Sequence, residues 1–219
     1  MNRPEMVLFD CDGVLVDSEP ITCGMIRDDL ARYGLDLTLG EIDTFFVGGT
    51  MQGVFETSRK MGATVPDDWV DSIHALIFAA LERDCKAVIG IKGVLDALDA
   101  AGIGYAVCSN GPMEKMDVTL RTTGLWDRFS GRLYSGHDCA AAKPAPDVYL
   151  KAAAEAGVAP ARCAVIEDSS TGARAGRAAG MTVYGYAEDG AQSAAAQKLA
   201  PHCDVVFHDM KDLKKLLSL

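Results

Sequence analysis

Five short β-rich runs, Met6 to Phe9, Ile103 to Cys108, Ala164 to Ile166, Met181 to Tyr184 and Asp204 to Phe207, do most to limit what this chain can fold into. Runs that are mostly apolar, instead of alternating, belong to strands buried on both faces, as in a parallel sheet covered by helices. Helical segments lie between or around the later runs: Gly93 to Ala101, Met113 to Thr123, Asp147 to Ala156, Ser169 to Ala179 and Met210 to Leu217. The alternation predicts a doubly wound α/β fold with a parallel sheet. Gly102, Gly124, Gly157 and Gly180 each follow a helix, where a left-handed cap favours glycine.

The stretch from about Pro20 to Cys85 breaks this rhythm, with four candidate helices and no convincing strand. In the fourth, Trp69, Ile73, Ile77, Ala80 and Leu81 fall on one face and are read as core. A chain of 219 residues can hold one domain with such an insertion. The expected organisation is a core of residues 1–17 and 88–219 and a helical cap of residues 18–87, joined near Val14 to Ser18 and Lys86 to Lys92. Small residues recurring every four positions from Thr171 to Gly180 would let one helix lie close on the sheet.

The formal charge of -10 disfavours nucleic acid and anionic lipid as partners. Lys211, Lys214 and Lys215 are interleaved with Asp209 and Asp212 and read as the solvated face of a last helix. Seven scattered cysteines without a CxxC pair point to neither a disulfide framework nor a zinc site. The N-terminus runs straight into an apolar strand, and no segment approaches the ~20 apolar residues that span a bilayer. A cytoplasmic protein without membrane or nucleic-acid partners is expected, either a monomer or a weak homo-oligomer.

Four polar clusters stand at strand or loop ends. Val7-Leu8-Phe9 runs into Asp10-Cys11-Asp12-Gly13, Cys108 into Ser109-Asn110-Gly111, and Ile166 into Glu167-Asp168-Ser169-Ser170, while Lys143-Pro144 precedes a helix. Asp-x-Asp-Gly alone could be an ordinary turn. Together, at the edge where an open α/β sheet delivers its strand ends to a crevice, the clusters match what phosphoryl transfer needs. A carboxylate can attack phosphorus. Carboxylates and a carbonyl can hold magnesium. A hydroxyl and an ammonium can bind the remaining phosphoryl oxygens, and a second carboxyl can move the leaving group's proton.

With these motifs in this order, the chain resembles the haloacid dehalogenase superfamily, in particular its β-phosphoglucomutase-like phosphatases with a helical cap after the first strand. The resemblance implies a Rossmann-like core. It also implies Asp10 as nucleophile, Asp12 as general acid/base, and Ser109 and Lys143 as the groups holding the phosphoryl, with Asn110 and Gly111 beside them in the substrate site. Asp10, the main-chain carbonyl of Asp12, and Asp168 are the implied Mg2+ ligands, with Glu167 either an occasional ligand or a helix-start residue. An acid at Asp12 disfavours dehalogenation. Cys11, between the two aspartates, should point away from them and pack inertly.

Members that isomerise hexose phosphates carry a cap histidine where this chain has Thr22, and an arginine that Gly48-Gly49-Thr50-Met51 lacks. Asp17 and Ser18 are expected to cap the first cap helix, and Gly48 to Thr50 to form a substrate-facing loop or a plain turn. Ser109-Asn110-Gly111-Pro112 followed by Lys115-Met116 resembles phosphatases of phosphorylated sugar acids. The expected activity is hydrolysis of a small phosphorylated metabolite, a sugar or sugar-acid phosphate, through an aspartyl-phosphate. The alternatives are a β-phosphoglucomutase-like mutase and a catalytically silent fold that binds a ligand or a protein.

Overall fold

In the computed structural model, which describes residues 3–46 and 50–219, the chain divides into two compact units, Met1–Asp17 with Lys86–Leu219, and Ser18–Cys85. The first is built on strands β1 (Met6–Phe9), β2 (Val16–Asp17), β3 (Lys86–Ala87), β4 (Gly104–Ser109), β5 (Leu133–Ser135), β6 (Cys163–Glu167), β7 (Thr182–Tyr186) and β8 (Val205–Phe207). Six of them form one sheet in the order β5-β4-β1-β6-β7-β8, and every pairing in it is parallel. The sheet is the parallel α/β sheet expected from the sequence. β1 is central and covers the expected run from end to end.

The second unit holds four helices, α1 (Glu19–Arg32), α2 (Leu39–Phe46), α3 (Met51–Lys60) and α4 (Trp69–Asp84). Helices α5 (Ile91–Ala101), α6 (Met113–Thr122), α7 (Trp126–Phe129), α8 (Asp147–Ala156), α9 (Ser170–Ala178), α10 (Ala194–Leu199) and α11 (Leu213–Leu216) belong to the first.

Alternation along β1 sends Met6 and Leu8 into one core layer, with Val148 and Tyr149 of α8 and Ala173 of α9. Phe9 faces the other way and meets Phe129 edge to face, with ring centroids 6.4 Å apart. Gly176 lets α9 approach: a Cβ there would lie 2.9 Å from Val183 and 3.2 Å from Val165. The small-residue spacing thus reflects close helix–sheet packing, as expected. The two chain crossings between the units are a short antiparallel ribbon, with Val16 opposite Ala87 and Asp17 opposite Lys86.

In the helical unit, the buried residues of α4 are the five expected from the sequence. Trp69 Nε1 donates to Asp29 Oδ2 at 2.7 Å, satisfying two polar groups in that small core. Ser18 holds the N-cap position of α1 but has an αR backbone and makes no side-chain capping bond. Its carbonyl instead accepts from the Thr22 hydroxyl at 3.0 Å. Thr50 does cap a helix, accepting from Gly53 N at 3.1 Å, while Gly48 and Gly49 lie outside the described residues. No helix among the described residues is long and apolar enough to cross a membrane, and all seven cysteines are free thiols.

Candidate active site

β4, β1 and β6 are neighbours in the sheet, so their C-terminal ends bring Ser109, Asp10 and Glu167 to one edge. Asp10 follows directly on β1, where its N–H donates to Ile166 O at 3.0 Å.

Lys143, from the loop before α8, is the hub. Its buried Nζ donates to Asp10 Oδ1 at 2.6 Å, Glu167 Oε1 at 2.6 Å and Cys108 O at 2.7 Å. An ammonium has three donors, and all three are used. Asn110 fixes the lysine's backbone with a reciprocal pair: Lys143 N donates to Asn110 Oδ1 at 2.9 Å, and Asn110 Nδ2 donates to Lys143 O at 3.1 Å. The amide side chain of Asn110 therefore serves the site by holding Lys143. The peptide bond between Lys143 and Pro144 is cis.

Ser109 Oγ is buried and accepts from Gly111 N at 2.9 Å, which shapes the loop after β4. Ser135 Oγ, at the end of β5, secures the same loop by donating to Gly111 O at 2.7 Å.

Glu167 is fully buried. Beyond Lys143, its Oε1 accepts from the Tyr149 hydroxyl at 2.8 Å, while Oε2 accepts from Ser169 N at 3.1 Å and Ser169 Oγ at 2.9 Å. A Cβ at position 172 would collide with this carboxylate, so glycine is needed there.

Tyr149, on α8, is a site residue that the sequence reading did not single out. A buried tyrosine needs a partner for its hydroxyl, and that requirement is the sequence signal that could have singled it out. Tyr149→Phe keeps the ring and removes one hydrogen bond to a buried charge. We expect it to lower unfolding stability by about 1.5–3 kcal/mol, read from urea denaturation of the metal-free protein.

Carboxylate oxygens of Asp10, Glu167 and Asp168 all lie within 4.8 Å of one another. Asp10 and Glu167 share one ammonium, so hard oxygen donors and negative charge are concentrated at this edge. Gly13, with φ +73°, leaves room for Asp168: a Cβ there would strike its carboxylate. Such an all-oxygen set fits a hard divalent cation.

Burial, reinforced by Glu167 and Asp12 and opposed by Lys143, pushes Asp10 from the ordinary 3.8 up to about 7. Burial pulls Lys143 down, but Asp10 and Glu167 outweigh it and hold the ammonium well above its usual range.

The Asp12 side chain turns elsewhere, meeting Lys115 Nζ at 2.8 Å. Cys11 is buried, with Sγ 4.0 Å from Thr119 Oγ1, and burial raises its thiol far above the reactive range. Inert packing was the expectation for it.

The haloacid dehalogenase-like hydrolase family profile matches residues 4–180. The 6-phosphogluconate phosphatase of Escherichia coli is 31% identical over 191 residues, which cover 86% of this chain and 85% of that protein. A β-phosphoglucomutase of Mycobacterium tuberculosis is 39% identical over 150 residues, 65% of this chain and 54% of that one. A crystal structure of a haloacid dehalogenase family hydrolase from Deinococcus radiodurans, with bound phosphate and sodium, superposes with a TM-score of 0.85 at 34% identity, covering 100% of this chain and 96% of that chain. With the parallel core and the strand-end cluster already in place, the match over residues 4–180 means that this chain belongs to the haloacid dehalogenase-like hydrolases.

Proposed function

We infer that this hydrolase is a magnesium-dependent phosphatase acting on a small phosphorylated metabolite, a sugar or sugar-acid phosphate, with Asp10 as the nucleophile. The observation that carries the reading is the Asp10–Lys143–Glu167 cluster with Asp168 beside it. It combines a nucleophilic carboxylate, a fixed cation and a set of hard oxygen donors at one point. The similarity to a phosphatase of a sugar-acid phosphate supports the substrate class.

Asp10 and Asp168, with the main-chain carbonyl of Asp12 and with Glu167 beside them, are the residues that would hold magnesium. When bound, the ion supplies neutralisation of the substrate's phosphoryl oxygens. Ser109 binds the phosphoryl group through its hydroxyl hydrogen, and Lys143 binds it through its charge, turning one of its three donors from a present partner to a phosphoryl oxygen when substrate is bound.

In the first step an Asp10 carboxylate oxygen forms a bond to phosphorus. The bond to the leaving oxygen breaks, and that oxygen keeps the electron pair and takes a proton from the Asp12 carboxyl. In the second step, Asp12 takes a proton from water as the water oxygen attacks phosphorus. The Asp10–phosphorus bond breaks, Asp10 regains its carboxylate, and inorganic phosphate leaves. We assign residues 18–87 to a cap that selects the leaving group.

Thr22, where the mutases carry a histidine, gives its hydroxyl to Ser18 O and offers no imidazole. That favours hydrolysis over isomerisation.

The test is phosphate release from glucose 6-phosphate, 6-phosphogluconate, phosphoglycolate and p-nitrophenyl phosphate, with magnesium or EDTA. We expect turnover in magnesium and its loss, by about 10²-fold or more, in EDTA. Equal rates in the two conditions would remove magnesium from the reading, and no turnover together with no magnesium-dependent fluoride binding would favour the silent fold.

A further inference from the structure

We propose that Lys115 is a positioning residue for Asp12: it orients the general acid that protonates the leaving oxygen. The proposal rests on the acid/base role given to Asp12 above.

Lys115 is the third residue of α6, and its Nζ lies 2.8 Å from Asp12 Oδ1. Both side chains are about three-quarters covered, at 22% and 25% exposure. An ion pair so enclosed is less screened by solvent than one on the surface.

The placement is unusual for a lysine. The first turn of a helix carries the positive end of the macrodipole and disfavours a cation, yet this ammonium is held there by a carboxylate from another element. The lysine is also anchored from behind, its carbonyl accepting from Thr119 Oγ1 at 2.9 Å.

Gly111 lies beside the pair. A Cβ there would stand 3.3 Å from Ser109 Oγ, 3.7 Å from Asp12 Oδ2 and 3.9 Å from Lys115 Cδ. The lysine stem, the acid/base carboxylate and the phosphoryl-binding hydroxyl therefore surround one glycine. Lys115 fixes Oδ1 of Asp12, so the proton that Asp12 gives and takes is carried on the other oxygen, Oδ2, which lies on the Gly111 side. Asp12 alone gives and takes the proton; Lys115 acts through it.

The dependence on leaving group separates this role from a structural one. A sugar alkoxide needs a proton as its bond to phosphorus breaks, whereas p-nitrophenolate departs without one. With Lys115→Met, kcat on the fastest-cleaved of glucose 6-phosphate, 6-phosphogluconate and phosphoglycolate should fall about 10- to 100-fold further than kcat on p-nitrophenyl phosphate. KM should move less than kcat, and Lys115→Arg should recover part of the loss.

Asp12→Asn is the reference and should show the same split, larger. A split in Asp12→Asn without one in Lys115→Met overturns the proposal and leaves the acid/base reading standing. No split in Asp12→Asn overturns that reading, and the proposal falls with it. A rise in KM for 6-phosphogluconate alone, with kcat intact, would replace the proposal with a contact between Lys115 and the substrate carboxylate.

Discussion

Asp10→Asn should release phosphate at least about 10⁴-fold more slowly than the wild type on every substrate, with the fold intact. Loss of a nucleophile removes the covalent route altogether, and losses of this order or greater follow when such a residue is replaced. Asparagine has the same shape, and its oxygen can still accept from Lys143 Nζ, which lies 2.6 Å from Asp10 Oδ1.

What it removes is a buried negative charge beside Glu167. In the metal-free protein this charge carries a cost with a definite pH dependence. The folded-state value for Asp10, about 7, stands above the ordinary 3.8. A carboxyl raised in this way contributes stability that is fully present below the unfolded value and is lost as pH climbs through the folded one.

In EDTA, the thermal midpoint of wild type should therefore drop relative to Asp10→Asn between about pH 4 and pH 7, the variant having no proton to lose at this position. Phosphate release assays and melting curves on one preparation test both halves. Retained turnover above about one per cent of wild type would move the nucleophile to another residue. Lost turnover with a collapsed melting curve would mean that unfolding, not chemistry, had been measured.

These expectations draw on features that were unequally visible in the sequence. The central strand was legible because Met6 to Phe9 is apolar throughout and ends at an aspartate. The helix stops at Gly102, Gly124, Gly157 and Gly180 were legible because glycine takes the positive φ that all four adopt.

β5 was not foreseen. It has three residues, between Gly131-Arg132 and Gly136, and forms the sheet edge by pairing with β4 alone. So short an edge strand has no room to show a hydrophobic period. The β2–β3 ribbon, with two residues on each side, was missed for the same reason. The expected last helix, Met210 to Leu217, divides into a 3₁₀ turn over Met210–Asp212 and the single α-helical turn α11.

At the site, residue types at strand ends revealed which groups assemble, because topology alone carries Asp10, Ser109 and Glu167 to one edge. The partners of each group were hidden. That Asn110 grips the backbone of Lys143, that Tyr149 supports Glu167 and that Lys115 takes Asp12 all depend on side-chain directions across elements far apart in the chain.

Lys143→Met tests the most consequential of these partnerships, since it attacks fold and chemistry together. The ammonium is enclosed, with 3% of its side chain exposed, and Glu167 beside it has none. Removing one partner from a buried ion pair leaves uncompensated charge and costs about 3–5 kcal/mol. Here two carboxylates lose the same cation, so the upper part of that range is expected in EDTA. For a domain of this size the thermal midpoint should fall by roughly 10–20 °C.

Protonating Asp10, whose folded value of about 7 already stands above the ordinary 3.8, relieves part of the penalty. The deficit relative to wild type should therefore shrink as pH is lowered from 8 toward 5 and grow again as it is raised. Magnesium should also recover part of the loss, because a cation that binds the folded state stabilises it by mass action. Turnover should remain low even where the fold is rescued, because Lys143 also holds the phosphoryl group in the proposed mechanism. A variant that melts like wild type at pH 8 in EDTA would show that Asp10 and Glu167 are not both charged beside this lysine. The electrostatic account of the cluster would then have to begin from a shared proton in place of a shared cation.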